Sequence, residues 1–152
     1  MKNDFTGKVS IIIGAPATKV WEALTTPSII KQYFFGTNTT SDWKVGSPIT
    51  FTGEWEGKQY EDKGHILEIV PNKLFRYSYW SSLSEIEDKP ENYVTITYSL
   101  SERNNVTTLT VTQENIPDEK AKQHSEETWN KVLVDLKNLL EKQPARRQTT
   151  HA

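Results

Sequence analysis

Five aromatic residues, Phe51, Trp55, Tyr77, Tyr79 and Tyr98, stand at alternate positions of three stretches that repeat with a period of two, and Trp129 stands on a later stretch of helical period. Alternate positions of a strand share one face of a sheet. The set therefore predicts a wall of rings facing an indole across the molecule. Such a wall serves either a plain core or an apolar pocket, because aromatic side chains dominate both. The repeated tyrosine favours the pocket, since each buried phenol needs a hydrogen-bond partner that a ligand or an ordered water can provide. Tyr33 and Phe34 are placed to roof it, with Thr128 and Val132 flanking Trp129. The candidate ligand-binding set is Tyr33, Phe34, Phe51, Trp55, His65, Tyr77, Tyr79, Tyr98, Thr128, Trp129 and Val132.

The remaining chemistry-bearing groups are thinner. Glu54, Glu56, Glu61 and Asp62 crowd one hairpin about Gly57, where two carboxylates could serve glycoside hydrolysis. A solvated hairpin edge is the preferred reading, because such charges mostly stay in water. His65 lies within a strand-like stretch, as a pocket donor or base in one reading and a structural or exposed histidine in the preferred one. His124 has Glu127 and Thr128 as helical neighbours and reads as a surface residue. There is no His-Glu-x-x-His spacing and no cysteine, so no metal site is expected. Gly-x-Ser-x-Gly, Gly-x-Gly-x-x-Gly and Walker-type loops are also missing. No catalytic residue and no cofactor is assigned.

The elements that must hold these groups follow from pattern. Val9, Ile11 and Ile13 alternate as a strand that stops at Gly14 and Pro16. Pro16 to Thr25 and Ser28 to Phe34 each carry an apolar side at helical spacing, divided by Pro27 and ended by Gly36. Strands are then expected over Ile49 to Trp55, Tyr60 to Ile69, Leu74 to Trp80 and Val94 to Leu100, and in a last stretch with Leu109 and Val111. Turns at Gly57-Lys58, Pro71-Asn72 and Arg103-Asn104-Asn105 join them, and an acidic loop runs from Ser84 to Asn92. Short turns between successive strands imply antiparallel pairing. Pro117-Asp118 opens a long helix with Trp129, Val132, Leu133, Leu136, Leu139 and Leu140 on one side.

A chain of 152 residues with 35% hydrophobic and 11% aromatic residues can bury one sizeable core. A net charge of -2 leaves no surplus of cations for phosphates, so nucleic acid is not expected as a partner. The longest aliphatic run is Ile11-Ile12-Ile13, so no membrane insertion is expected. Met1 to Thr6 is polar and unlike a signal peptide, and the chain has no cysteine, which together point to the cytoplasm.

Strand, two helices, a run of strands and one long helix is an order that resembles the START-like (SRPBCC, polyketide cyclase and pollen-allergen-like) superfamily. More narrowly, Ala15-Pro16-Ala17-Thr18-Lys19-Val20-Trp21-Glu22-Ala23-Leu24-Thr25 is similar to the opening motif of the domain shared with the activator of the 90-kDa heat-shock protein ATPase. Gly64 to Leu74 with Tyr77-Ser78-Tyr79 resembles its central hairpin, and Trp129 to Leu140 its closing helix. The resemblance spans about residues 8 to 142, between an N-terminal extension (1–7) and a flexible C-terminal tail (143–152). It implies an α+β helix-grip fold, a curved antiparallel sheet of about six strands around the long C-terminal helix with two short helices after strand one. Relatives include lipid carriers, hormone receptors, cyclases and the stress-response chaperone activator, so the resemblance fixes no single function. The expected function is non-enzymatic binding of a small hydrophobic or aromatic ligand in an internal cavity. Association with a 90-kDa heat-shock protein chaperone, or cyclase or hydrolase chemistry in the cavity, are the alternatives.

Overall fold

The computed structural model describes residues 5–34, 36–82 and 86–151, without the side chains of Trp55 and of residues 142–151. The order is β1 (Phe5–Ile13), α1 (Ala17–Thr25), α2 (Pro27–Tyr33), β2 (Asn38–Ser41), β3 (Pro48–Trp55), β4 (Lys58–Val70), β5 (Leu74–Ser81), β6 (Val94–Arg103), β7 (Val106–Ile116) and α3 (Glu119–His151). The seven strands form one sheet in the order β1-β7-β6-β5-β4-β3-β2, and every pair is antiparallel. The sheet is curved, with α3 against it and α1 and α2 inserted after β1, which is a helix-grip arrangement of the α+β class.

About six strands were expected, and the seventh is β2. Asn-Thr-Thr-Ser has neither the length nor the apolar alternation by which a strand is recognised. It is an edge strand, and its only inward residue, Thr39, is polar.

Two-residue loops set the hairpins. Trp55 pairs with Lys58 across Glu56 and Gly57, whose φ angles are 51° and 83°. Arg103 pairs with Val106 across Asn104 and Asn105, at 54° and 66°. Both loops have the left-handed pair of a type I′ turn, for which asparagine and glycine are suited. The first turn is thus centred one residue before the expected Gly57-Lys58. In β4 a bulge between Ile66 and Glu68 leaves Leu67 exposed and returns Ile69 to the core side. Gly64 is required in the same strand, because a Cβ there would lie 1.6 Å from the Ser78 carbonyl oxygen.

Asp118 caps α3 by accepting from the Ala121 N–H at 2.8 Å. Val132, Leu133, Leu136 and Leu140 are buried against Ile13, Val20, Ala23 and Leu109 in one core cluster, and Leu139 packs against it. The other end of the helical stripe carries Trp129 to the aromatic strands. The expected flexible tail over 143–152 lies outside the residues whose side chains are described.

The sheet's β1 edge is covered by α3 in an unusual way. The Lys8 N–H donates to Glu126 at 3.0 Å, the Gly14 N–H to Glu141 at 2.7 Å, and Lys137 donates to the Ile12 carbonyl at 2.8 Å. Side chains of one helix thereby satisfy backbone groups that an edge strand would otherwise present to another chain.

Candidate functional site

The inner face of the sheet is where the expected residues meet. Phe51 on β3, Phe75, Tyr77 and Tyr79 on β5, and Tyr98 on β6 alternate inward, with β5 and β6 in register so that Phe75 faces Tyr98. Their rings form a continuous cluster. Phe51 lies 5.7 Å from Tyr77 and 5.6 Å from Tyr79, and Tyr98 lies 6.0 Å from Phe75 and 6.1 Å from Tyr77. Trp129 closes on them from α3, edge-on to Tyr98 at 5.8 Å, and Phe34 fills the remaining side, stacked on Phe51 at 6.3 Å and edge-on to Trp129 at 5.8 Å. These separations and tilts are those at which ring quadrupoles attract.

The packing is tight. A void of about 10 Å³ remains in the cluster, bounded by Leu24, Ile30, Tyr33, Phe34, Trp43, Ile49, Phe51, Phe75, Tyr77 and Tyr98. An internal cavity large enough for a ligand was expected, and here the rings occupy that space. Of the ten residues bounding the void, eight are buried, and Phe34 and Trp43 are only partly so. These two mark its approach to solvent. Trp43 adopts φ 59°, a left-handed conformation that is strained for so bulky a residue.

Two of the phenols are anchored by hydrogen bonds. The Tyr33 hydroxyl donates to the Ala23 carbonyl at 2.9 Å. The Tyr77 and Tyr98 rings lie side by side, 6.1 Å apart. The Tyr79 hydroxyl donates to Asp62 Oδ2. Burial pushes all four phenol pKa values up, that of Tyr98 to about 12, and the Asp62 charge adds to the shift of Tyr79.

The remaining expected residues divide. Val132 is buried in the core and Thr128 is half-buried on α3. Ser125, one turn before Trp129 on α3, donates to Gln113 Oε1 at 2.8 Å, and the Trp129 indole N–H donates to the same oxygen at 2.9 Å. The Trp55 side chain lies outside those described. His65 is exposed, because it alternates with the buried Gly64 and Ile66 and so points away from the rings. A base at that position does not reach the interior.

Glu54, Glu56 and Glu61 are exposed on their hairpin as expected, but Asp62 is not. It is 7% exposed, opposite Phe51 in the β3–β4 register, and its Oδ1 has no hydrogen-bond partner among the described residues. Thr39, opposite Phe51 on the other side, is 5% exposed and its Oγ1 is likewise unpartnered. Asp62, Thr39 and Trp43 are the residues that pattern reading missed. Asp62 was within reach, since it lies two and four residues before the inward Gly64 and Ile66.

Among the described residues no three of His, Asp and Glu gather in a way that could hold a metal ion, and no helix is long and apolar enough to cross a membrane. No curated protein matches the chain. A solved structure from Cytophaga hutchinsonii is 44% identical, with a TM-score of 0.83 over 95% of this chain and 99% of that one. A Plasmodium falciparum protein described as an HSP90 activator shares the fold at 19% identity, TM-score 0.70, over 90% of this chain and 96% of that one. The Aha1 dimer from Colwellia psychrerythraea does so at 22% identity, TM-score 0.71, over 90% and 96%. The family described as Activator of Hsp90 ATPase homolog 1-like protein matches residues 14–141, and the chain belongs to it.

Proposed function

We propose that this chain binds a small apolar, ring-containing molecule among Phe51, Tyr77, Tyr98 and Trp129, and that the bound state is reached by outward movement of Phe34 and Trp43. The observation that carries the reading is that these two rings alone, of those around the void, are partly exposed. Ligand sites commonly enclose about 300–1,000 Å³. A void of about 10 Å³ therefore requires rings to move, and the partly exposed pair moves at the least cost in buried area. The phenols of Tyr33, Tyr77 and Tyr98 would supply the few convergent polar groups of such a site.

The test is a screen of ring compounds against the purified chain, read by native mass spectrometry and by tryptophan emission. Trp43 and Trp129 flank the proposed space, so binding should change the emission and produce a one-to-one complex. A screen that yields neither would remove the reading.

Family membership supports a second reading, association with a 90-kDa heat-shock protein chaperone, as the name of the Plasmodium falciparum neighbour suggests. Titrating the chain against that chaperone's ATPase distinguishes the two. A change in turnover would support the second reading, and its absence together with ligand binding the first.

A further inference from the structure

Thr39, Phe51 and Asp62 form one row across β2, β3 and β4, paired Thr39 to Phe51 and Phe51 to Asp62. Both polar ends are more than nine-tenths buried, and each keeps one oxygen unpartnered among the described residues. Asp62 is the more demanding of the two. Tyr79 engages Oδ2 and so fixes the carboxylate, while Oδ1 is left shielded from water without a donor. The ion pairs of the described residues lie elsewhere, on half-exposed or exposed side chains such as Lys63 with Asp88 and Arg76 with Glu68. A buried carboxylate oxygen without a donor is costly, and the cost disappears when a charged donor reaches it.

The surroundings select the donor. The ring of Phe51 lies between the two polar ends, and Phe51 and Tyr79 are 5.6 Å apart. A neutral hydroxyl would meet the lone pair but leave the charge uncompensated. An ammonium meets both and is attracted to ring faces. We infer that Asp62 is the anchor for a primary or secondary amine carried on an apolar, ring-sized body. The inference rests on the ligand-binding reading above and assigns the polar end of the ligand that the aromatic cluster would hold.

Three probes of equal shape separate the possibilities: 2-phenylethylamine, 2-phenylethanol and propylbenzene, each titrated at neutral pH and followed by the amide shifts of Thr39, Phe51 and Asp62. The amine should bind about tenfold tighter than either neutral probe or better, the difference expected of a charge-assisted bond. In Asp62→Asn, which keeps the shape, that preference should vanish while the affinity of the neutral probes stays. Tyr79→Phe keeps the carboxylate charge while releasing Oδ2 and should keep the preference, and a wild-type-like amide spectrum of the unliganded Asp62→Asn shows that this variant is folded. Equal binding of all three probes to the wild type, or an undiminished preference in Asp62→Asn, would overturn the inference and leave the ligand-binding reading standing. Saturation with all three probes and no shift at any interior residue would overturn both.

Discussion

Tyr77 and Tyr98, one on β5 and one on β6, lie with their ring centroids 6.1 Å apart, each at 4% exposure or less. Together with Tyr33 and Tyr79 they put four phenols among the aromatic and aliphatic side chains of the core.

The phenols give the fold an alkaline limit. A phenol titrates at about 10 in the unfolded chain, whereas burial holds Tyr98 at about 12 and moves Tyr33, Tyr77 and Tyr79 in the same direction. The folded state thus keeps its protons longer than the unfolded one. The resulting stability is whole below about pH 10 and is lost as the pH rises through the folded values. In a spectrophotometric titration, the phenolate absorbance of these residues should appear together with the loss of near-ultraviolet dichroism. Ionisation of all six tyrosines while the fold persists would contradict it.

The α3 leucines are the anchor of the domain. Leu136 is fully buried, so Leu136→Ala should cost about 2–5 kcal/mol through the lost side chain and the cavity left behind. Val134, two residues earlier and 39% exposed, should tolerate alanine within about 0.5 kcal/mol. Urea unfolding of the two variants measures both, and equal losses would show that α3 is packed differently.

Glu141 ties α3 to the β1 edge, and its titration reports the tie. Its bonds from Lys137 and the Gly14 N–H hold the carboxyl below the ordinary glutamate value. A depressed carboxyl contributes stability that is present above its unfolded pKa, about 4.3, and is lost as the pH falls through the lower folded value. The stability difference between wild type and Glu141→Gln should therefore be largest near neutrality and shrink in acid. The Gly14 amide should also exchange faster in the variant. A difference independent of pH would mean that neither bond forms in solution.

Much of this architecture is legible in residue pattern. Ile49 and Phe51, Phe75 to Tyr79, and Ile96 to Leu100 announce their strands by alternation, and Trp129 to Leu140 its helix by a stripe, because burial on one face imposes a period. β2 is not legible, since an edge strand of four polar residues gains its place from backbone pairing with β3 rather than from side-chain burial. Trp43 is hidden for a related reason: it reaches the core from a loop, held by the Ser41 hydroxyl bonding its N–H at 3.0 Å, and loops carry no period. Asp62 is obscured by composition. Among four carboxylates in one hairpin it looks like surface charge, and only its register with Phe51 reveals the inward face. The filling of the interior is not legible at all, because sequence fixes which rings face inward but not how closely Phe34 and Trp129 bring them together.

The central claim is that this interior opens to admit a ring compound. The most direct measurement is a titration of the isotope-labelled chain with 3-methylindole, an apolar ring of suitable size, following the backbone amides across the molecule. Saturable shifts should gather at Phe34, Trp43, Phe51, Tyr98 and Trp129. Saturable shifts confined to the outer face, or none at any of these five, would contradict it.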